Sequence, residues 1–104
     1  MSTFLYVRTE LDVPGVGSAI HLAELEELSA SECRLHRLLA LAPNESVVGA
    51  ATPHASHGGA DIPQERVPHP NAYADYPNIS ASYIEPTEFE GLWSEAAAQF
   101  PGLS

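Results

Sequence analysis

The sequence predicts an α+β domain. Its frame is a small, mostly antiparallel sheet of four or five strands packed by one C-terminal amphipathic helix, with a long Pro/His/Gly loop. Three observations carry this. Residues 3–9 (Thr-Phe-Leu-Tyr-Val-Arg-Thr) are rich in aromatic and β-branched types, which suit a pleated, half-buried surface. Residues 78–85 alternate Ile79, Ala81 and Tyr83 with Ser80, Ser82 and Glu85, a two-residue period that Ile84 breaks. Phe89, Leu92, Trp93, Ala96 and Phe100 follow at spacings of three and four, a helical period.

In chain order, Leu5 and Val7 of the first strand point one way, and Phe4 and Tyr6 the other. Apolar side chains on both faces mark an interior strand. Asp12 to Gly17, with Pro14, Gly15 and Gly17, is turn material. Residues 18–42 read locally in two ways. Leu22, Leu25 and Leu28 at three-residue spacing, a Ser29-Ala-Ser-Glu32 capping box and the Leu35, Leu38, Leu39 and Ala42 face favour helix. Two strands with a turn near Glu27–Ala30 are the alternative. Ile20 and Leu22 then share one face, and Cys33, Leu35, Leu39 and Leu41 another, interrupted by Arg37.

Pro43-Asn44-Glu45-Ser46 is a turn signal, and residues 46–50 around Val47-Val48 form a short strand. Residues 51–70 hold two Gly, four Pro and three His, a long irregular segment with an extended piece near Asp61–Val67. Residues 71–76 make one helical turn. Pro86 suits a first helical position, where its missing N–H is not needed. Gly91 weakens the helix by about 1 kcal/mol relative to Ala, and Pro101-Gly102 ends it.

Composition excludes several functions. The 104 residues fit one domain, and carry 14 acidic and 4 basic side chains for a net charge of −10. All four basic residues are arginines: Arg8, Arg34, Arg37 and Arg66. A nucleic-acid partner needs a cationic footprint, and an anionic membrane surface likewise disfavours this chain. The apolar fraction of 44% is too high for a disordered acidic tail. One cysteine permits neither an internal disulfide nor a multi-cysteine zinc site. No apolar run approaches the ~20 residues of a membrane span, and the first residues lack signal-peptide character. The expected location is the cytoplasm. There Cys33 is a small buried apolar residue before it is a nucleophile.

A set of short motifs resembles a small bacterial domain-of-unknown-function family. They are Ala23-Glu24-Leu25, a Glu-x-Arg strand (Glu32-Cys33-Arg34), Val48-Gly49-Ala50, a Gly-Gly loop (Gly58-Gly59) and Glu65-Arg66-Val67-Pro68. The most specific is the closing Ile-x-x-x-Glu-Phe-Glu-x-x-Trp, here Ile84 to Trp93. The resemblance implies two strands, joined by a turn, for residues 18–42. It brings no known reaction. The chain departs from the family in having Pro43-Asn44-Glu45-Ser46 where many members carry Asp-Gly.

Two residue groups are candidate chemistry. His54, His57 and Asp61 offer two imidazoles and a carboxylate to a metal such as zinc. In a Gly-rich loop that spacing fixes no geometry, and two solvent-facing histidines are the simpler reading. Glu24, Glu32, Arg34 and His36 fall on neighbouring strands. They form either an acid–base pocket or a cross-strand ion-pair set on an exposed face. Gly58-Gly59 matches no phosphate- or dinucleotide-binding fingerprint, and no cofactor is expected. Tyr73, Tyr76, Tyr83, Phe89 and Trp93 crowd the last third, as helix–sheet packing or as the rim of a small-molecule or peptide pocket.

Two function classes follow. The first is a small acidic accessory or binding protein, immunity-like or chaperone-like, that recognises a basic protein partner by charge. The second is a small enzyme of bacterial specialised metabolism acting on a metabolite by acid–base chemistry, with or without a metal. A homodimer fits the short chain and its two-faced first strand.

Overall fold

The first hairpin sets the sheet. β1 (Thr3–Val13) and β2 (Gly17–Glu27) pair antiparallel from Thr3↔Glu27 to Val13↔Gly17. Gly15 takes a φ of 79° in the turn between them, a region L side chains rarely occupy. β3 (Glu32–Leu41) continues the sheet beside β2. Residues 18–42 are therefore two strands, not helix. The computed structural model describes residues 3–15, 17–60, 63–75 and 79–103.

Among the described residues the sheet has seven strands, all paired antiparallel, rather than four or five. The order is β5-β4-β3-β2-β1-β7, and β6 also pairs with β3. The additional strands come from the Pro/His/Gly segment. β4 (Val47–Thr52) turns at Pro53-His54 into β5 (Ala55–Gly58). β6 (Arg66–Pro68) lies against Glu32–Arg34, along the same side of β3 that pairs with β4 further on. Small residues make this possible: a Cβ at Gly49 would lie 2.5 Å from the Ala60 nitrogen. β7 (Ile79–Tyr83) pairs with β1, so β1 is interior, as its two-faced pattern requires.

Both faces of the central strands are covered, which explains their helix-like composition. On one face, Ile20, Leu22, Leu39, Leu41, Val47 and Ala50 pack beneath α1 (Pro86–Gln99), whose Phe89 and Ala96 are fully buried. On the other, Val7, Ala23, Leu25, Cys33 and Leu35 form a second cluster, with Val67 of β6 against it. Ala60 closes over Ala40 and Ala51 on that face. Burying each of Phe89, Leu22, Leu25 and Leu39 contributes about 1.5–3 kcal/mol. A short 3-10 helix (Pro70–Asp75) precedes β7.

Gly58 is the least replaceable glycine. Its φ is 64°, and a Cβ there would lie 2.5 Å from the Val48 carbonyl oxygen and 2.6 Å from the Phe100 ring. Gly58→Ala is expected to cost about 1–3 kcal/mol in backbone strain alone. Urea unfolding measures it. An unchanged midpoint would contradict the packing of Phe100 on this hairpin.

Candidate functional site

The densest set of charged side chains lies where α1 crosses the sheet. Alternation along β2 carries Ile20, Leu22, Glu24 and Glu26 to the helix face. Glu24 is opposite Arg37, whereas Leu25 is opposite Leu35, so His36 is the extra residue of a β-bulge. The bulge lets consecutive His36 and Arg37 both reach carboxylates on one face. His36 Nε2 lies 3.0 Å from Glu26 Oε1, and Arg37 clasps Glu24.

Glu24 is buried, and its oxygens are occupied. Arg37 donates from Nε to Oε1 at 2.8 Å and from Nη2 to Oε2 at 2.6 Å. The Tyr6 hydroxyl donates to Oε2 at 2.8 Å. Arg37 also pairs with Glu90 of α1, and its guanidinium carbon sits 5.0 Å from the ring centroids of both Phe89 and Trp93. One arginine thus joins β2, β3 and α1 through ion pairs and aromatic contact.

Electrostatics follow from this arrangement. Burial alone would raise the Glu24 carboxyl, but the hydrogen bonds from Arg37 and Tyr6 outweigh it and hold the carboxyl below its ordinary range. Burial, then the bond to Glu24, pushes the Tyr6 hydroxyl up. The bonds to Glu24 raise Arg37 further above its ordinary range. Glu24 is therefore ionised at neutral pH, and the group acts as a fixed ion pair rather than a proton donor.

The sign of its pH dependence is set. Glu24 titrates lower folded than unfolded, so its contribution to stability is complete above the ordinary value of 4.5 and is lost as pH falls through the folded value. Glu24→Gln is expected to be less stable than the parent at pH 7, with the gap narrowing below pH 4.5. Thermal melts across that range check this. A constant gap would contradict the lowered carboxyl.

The other candidates are dispersed around this centre. Arg34 Nη1 lies 4.0 Å from Glu26, and Arg34 Nε lies 3.3 Å from Glu65 without the direction of a hydrogen bond. Glu32 pairs with Arg66 of β6 at 2.6 Å. Glu24, Glu32, Arg34 and His36 are thus not partners of one another: Glu24 pairs with Arg37, Glu32 with Arg66, and Arg34 and His36 both approach Glu26. His54 is exposed at the β4–β5 turn, while His57 stacks on Phe100 with ring centroids 6.2 Å apart. Asp61 and Tyr76 lie outside the described residues. Among the described residues, no group of three His, Cys, Asp or Glu side chains is arranged to hold a metal.

Cys33 is fully buried, and burial followed by the Glu27 charge pushes its thiol up, an unreactive setting. His69 takes a role that sequence spacing does not reveal. It is buried, accepts the Asn71 N–H at Nδ1 (3.1 Å) and places Nε2 2.7 Å from Glu27. The His69 backbone N–H donates to the Ser31 carbonyl at 3.1 Å, so the residue ties the returning segment to the β2–β3 turn.

Every arginine is engaged by the chain's own carboxylates. Arg8 pairs with Glu10 and Glu45, Arg34 with Glu26 and Glu65, Arg37 with Glu24 and Glu90, and Arg66 with Glu32. Glu85, Glu88 and Glu95 are exposed at and along α1, and make no ion pair among the described residues. A cavity of about 250 Å³ lies elsewhere, between β1, β7 and the start of the 3-10 helix, lined by Val7, Pro70, Asn71, Ile79, Ala81, Ser82 and Tyr83. Among the described residues, its lining holds no carboxylate, histidine or cysteine. Among the described residues, no helix is long and apolar enough to cross a membrane. Comparison with protein-family models, curated proteins and solved structures found no match.

Proposed function

We propose that this chain is a noncatalytic binding protein that recognises a basic protein partner through its acidic surface. The observation that supports this most is the distribution of charge. Seven glutamates occupy the four arginines, while Glu85, Glu88 and Glu95 remain exposed and unpaired among the described residues. A partner therefore meets negative charge that no neighbouring arginine offsets. Such a field speeds encounter with a cationic surface and is screened by salt. The clustered titratable groups are bound to one another, and among the described residues the cavity is lined by no carboxylate, histidine or cysteine. The resemblance carried by the Ile84–Trp93 motif adds no reaction.

The test is capture from extract of the native source with the tagged chain, at low and high salt. The expected result is a stoichiometric partner rich in Lys and Arg that is released as salt rises. The variant Glu85→Gln/Glu88→Gln/Glu95→Gln should retain less of it. A captured partner insensitive to both salt and these substitutions would overturn the reading.

A further inference from the structure

The outer edge of β7 combines three properties that the acidic surface alone does not supply. The first is free backbone. The Ile84 N–H bonds the Tyr6 carbonyl at 2.9 Å, and β7 runs antiparallel to β1 with Ser82 opposite Arg8 and Ser80 opposite Glu10. In an antiparallel ladder, hydrogen-bonded and non-hydrogen-bonded pairs alternate. Ser80 and Ser82 therefore turn their N–H and C=O groups toward β1. Ile79, Ala81 and Tyr83 turn theirs outward, where no strand pairs with them among the described residues.

The second property is an adjoining space. Ile79, Ala81 and Tyr83 also line the 250 Å³ cavity, together with Val7 and Pro70. Tyr83 is 58% exposed, and Leu11, opposite Ile79, is also exposed. An added strand would thus find backbone groups at the edge and, beside them, a recess that is mostly apolar but includes Asn71 and Ser82. The third is the absence of protection. Ile79–Tyr83 contains no charge, proline or bulge, the devices that usually discourage edge pairing.

The geometry points to β7 as the docking edge for an extended, cationic segment of another protein, added to the sheet as a further strand. This rests on the proposed charge-based recognition and names the form its partner takes. Charge complementarity selects this occupant over a second copy. Two copies would each bring a net charge of −10, whereas beside the neutral edge Glu10 and Glu45 together outnumber the Arg8 they hold, and Glu85, without an ion pair among the described residues, follows the strand in sequence. Alternating side chains suit the site: apolar ones toward Ala81 and the cavity, basic ones toward the opposite face.

The probe is a capped nine-residue peptide alternating arginine with valine, compared with one alternating glutamate with valine. Binding is followed by titration and by amide chemical shifts of the full chain. The arginine peptide should bind in a salt-sensitive manner and shift Ile79, Ala81 and Tyr83, while the glutamate peptide should not bind. Ala81→Pro removes an outward N–H and spares the β1 ladder, so it should weaken binding at least tenfold.

Undiminished binding by folded Ala81→Pro, or shifts confined to α1, would overturn the edge proposal and leave charge-based recognition standing. Equal binding of both peptides through β7 would overturn the charge requirement but support the edge. No binding of either would overturn the proposal. If Ala81→Pro does not fold, the parent chain's shift map decides by itself. Self-association through residues 79–83 without peptide would assign the edge to a second copy and overturn the cationic partner.

Discussion

Arg37→Ala is expected to destabilise the protein by about 3 kcal/mol, measured as a lowered urea midpoint. The Glu24 side chain is only 11% exposed and that of Arg37 only 22%. Removing the guanidinium leaves a carboxylate with its charge uncompensated and takes away the group lying against Phe89 and Trp93. Partial exposure places the effect at the lower end of the range for breaking buried pairs. Glu24→Gln/Arg37→Met should recover part of the loss, because it removes the unpaired charge while retaining a long apolar side chain. Equal stability of Arg37→Ala and the parent would mean that the ion pair does not bind α1 to the sheet.

Phe89→Ala is expected to cost about 3–5 kcal/mol, the largest effect of any single truncation beneath α1. The Phe89 ring is fully buried, 5.4 Å from Tyr6 and 6.1 Å from Trp93, and lies against Arg37. Against a total of about 5–15 kcal/mol for a domain, that loss leaves little reserve. Loosened α1 packing should also shift Trp93 fluorescence to longer wavelength at low urea. A native spectrum and parental midpoint would contradict the assignment of Phe89 to the helix–sheet core.

The C-terminal helix was legible because one of its faces is apolar and Pro86 and Pro101 mark its ends. Residues 79–83 were legible as a strand because polar–apolar alternation survives on an edge strand, and residues 3–9 because aromatic and β-branched types dominate them. Residues 18–42 resisted a local reading because Leu22 and Leu39 are buried under α1 while Leu25 and Leu35 are buried on the opposite face. Burial on both sides erases the polar–apolar alternation. The resemblance, rather than residue propensity, supplied two strands there.

The strands β5 and β6 were hidden in a segment whose Pro and Gly content resembles a loop. Their identity depends on distant partners: Ala55–Gly58 on β4, and Arg66–Pro68 on the far end of β3. At the candidate site, grouping Glu24 with Arg34 and His36 captured neighbouring strands but not the actual partners. The bulge at His36 shifts the register and delivers Arg37 to Glu24. An arginine interrupting Leu35–Leu41 was the available sequence signal, since a charge on a burying strand needs a counter-ion. Glu90 was silent because its role depends on where α1 docks.

The most direct measurement of charge-based recognition is the association rate with the captured partner as a function of ionic strength. The account predicts that the association rate falls steeply as salt rises while the dissociation rate changes little, and that Glu85→Gln/Glu88→Gln/Glu95→Gln lowers the low-salt rate. An association rate independent of both salt and these substitutions would contradict it.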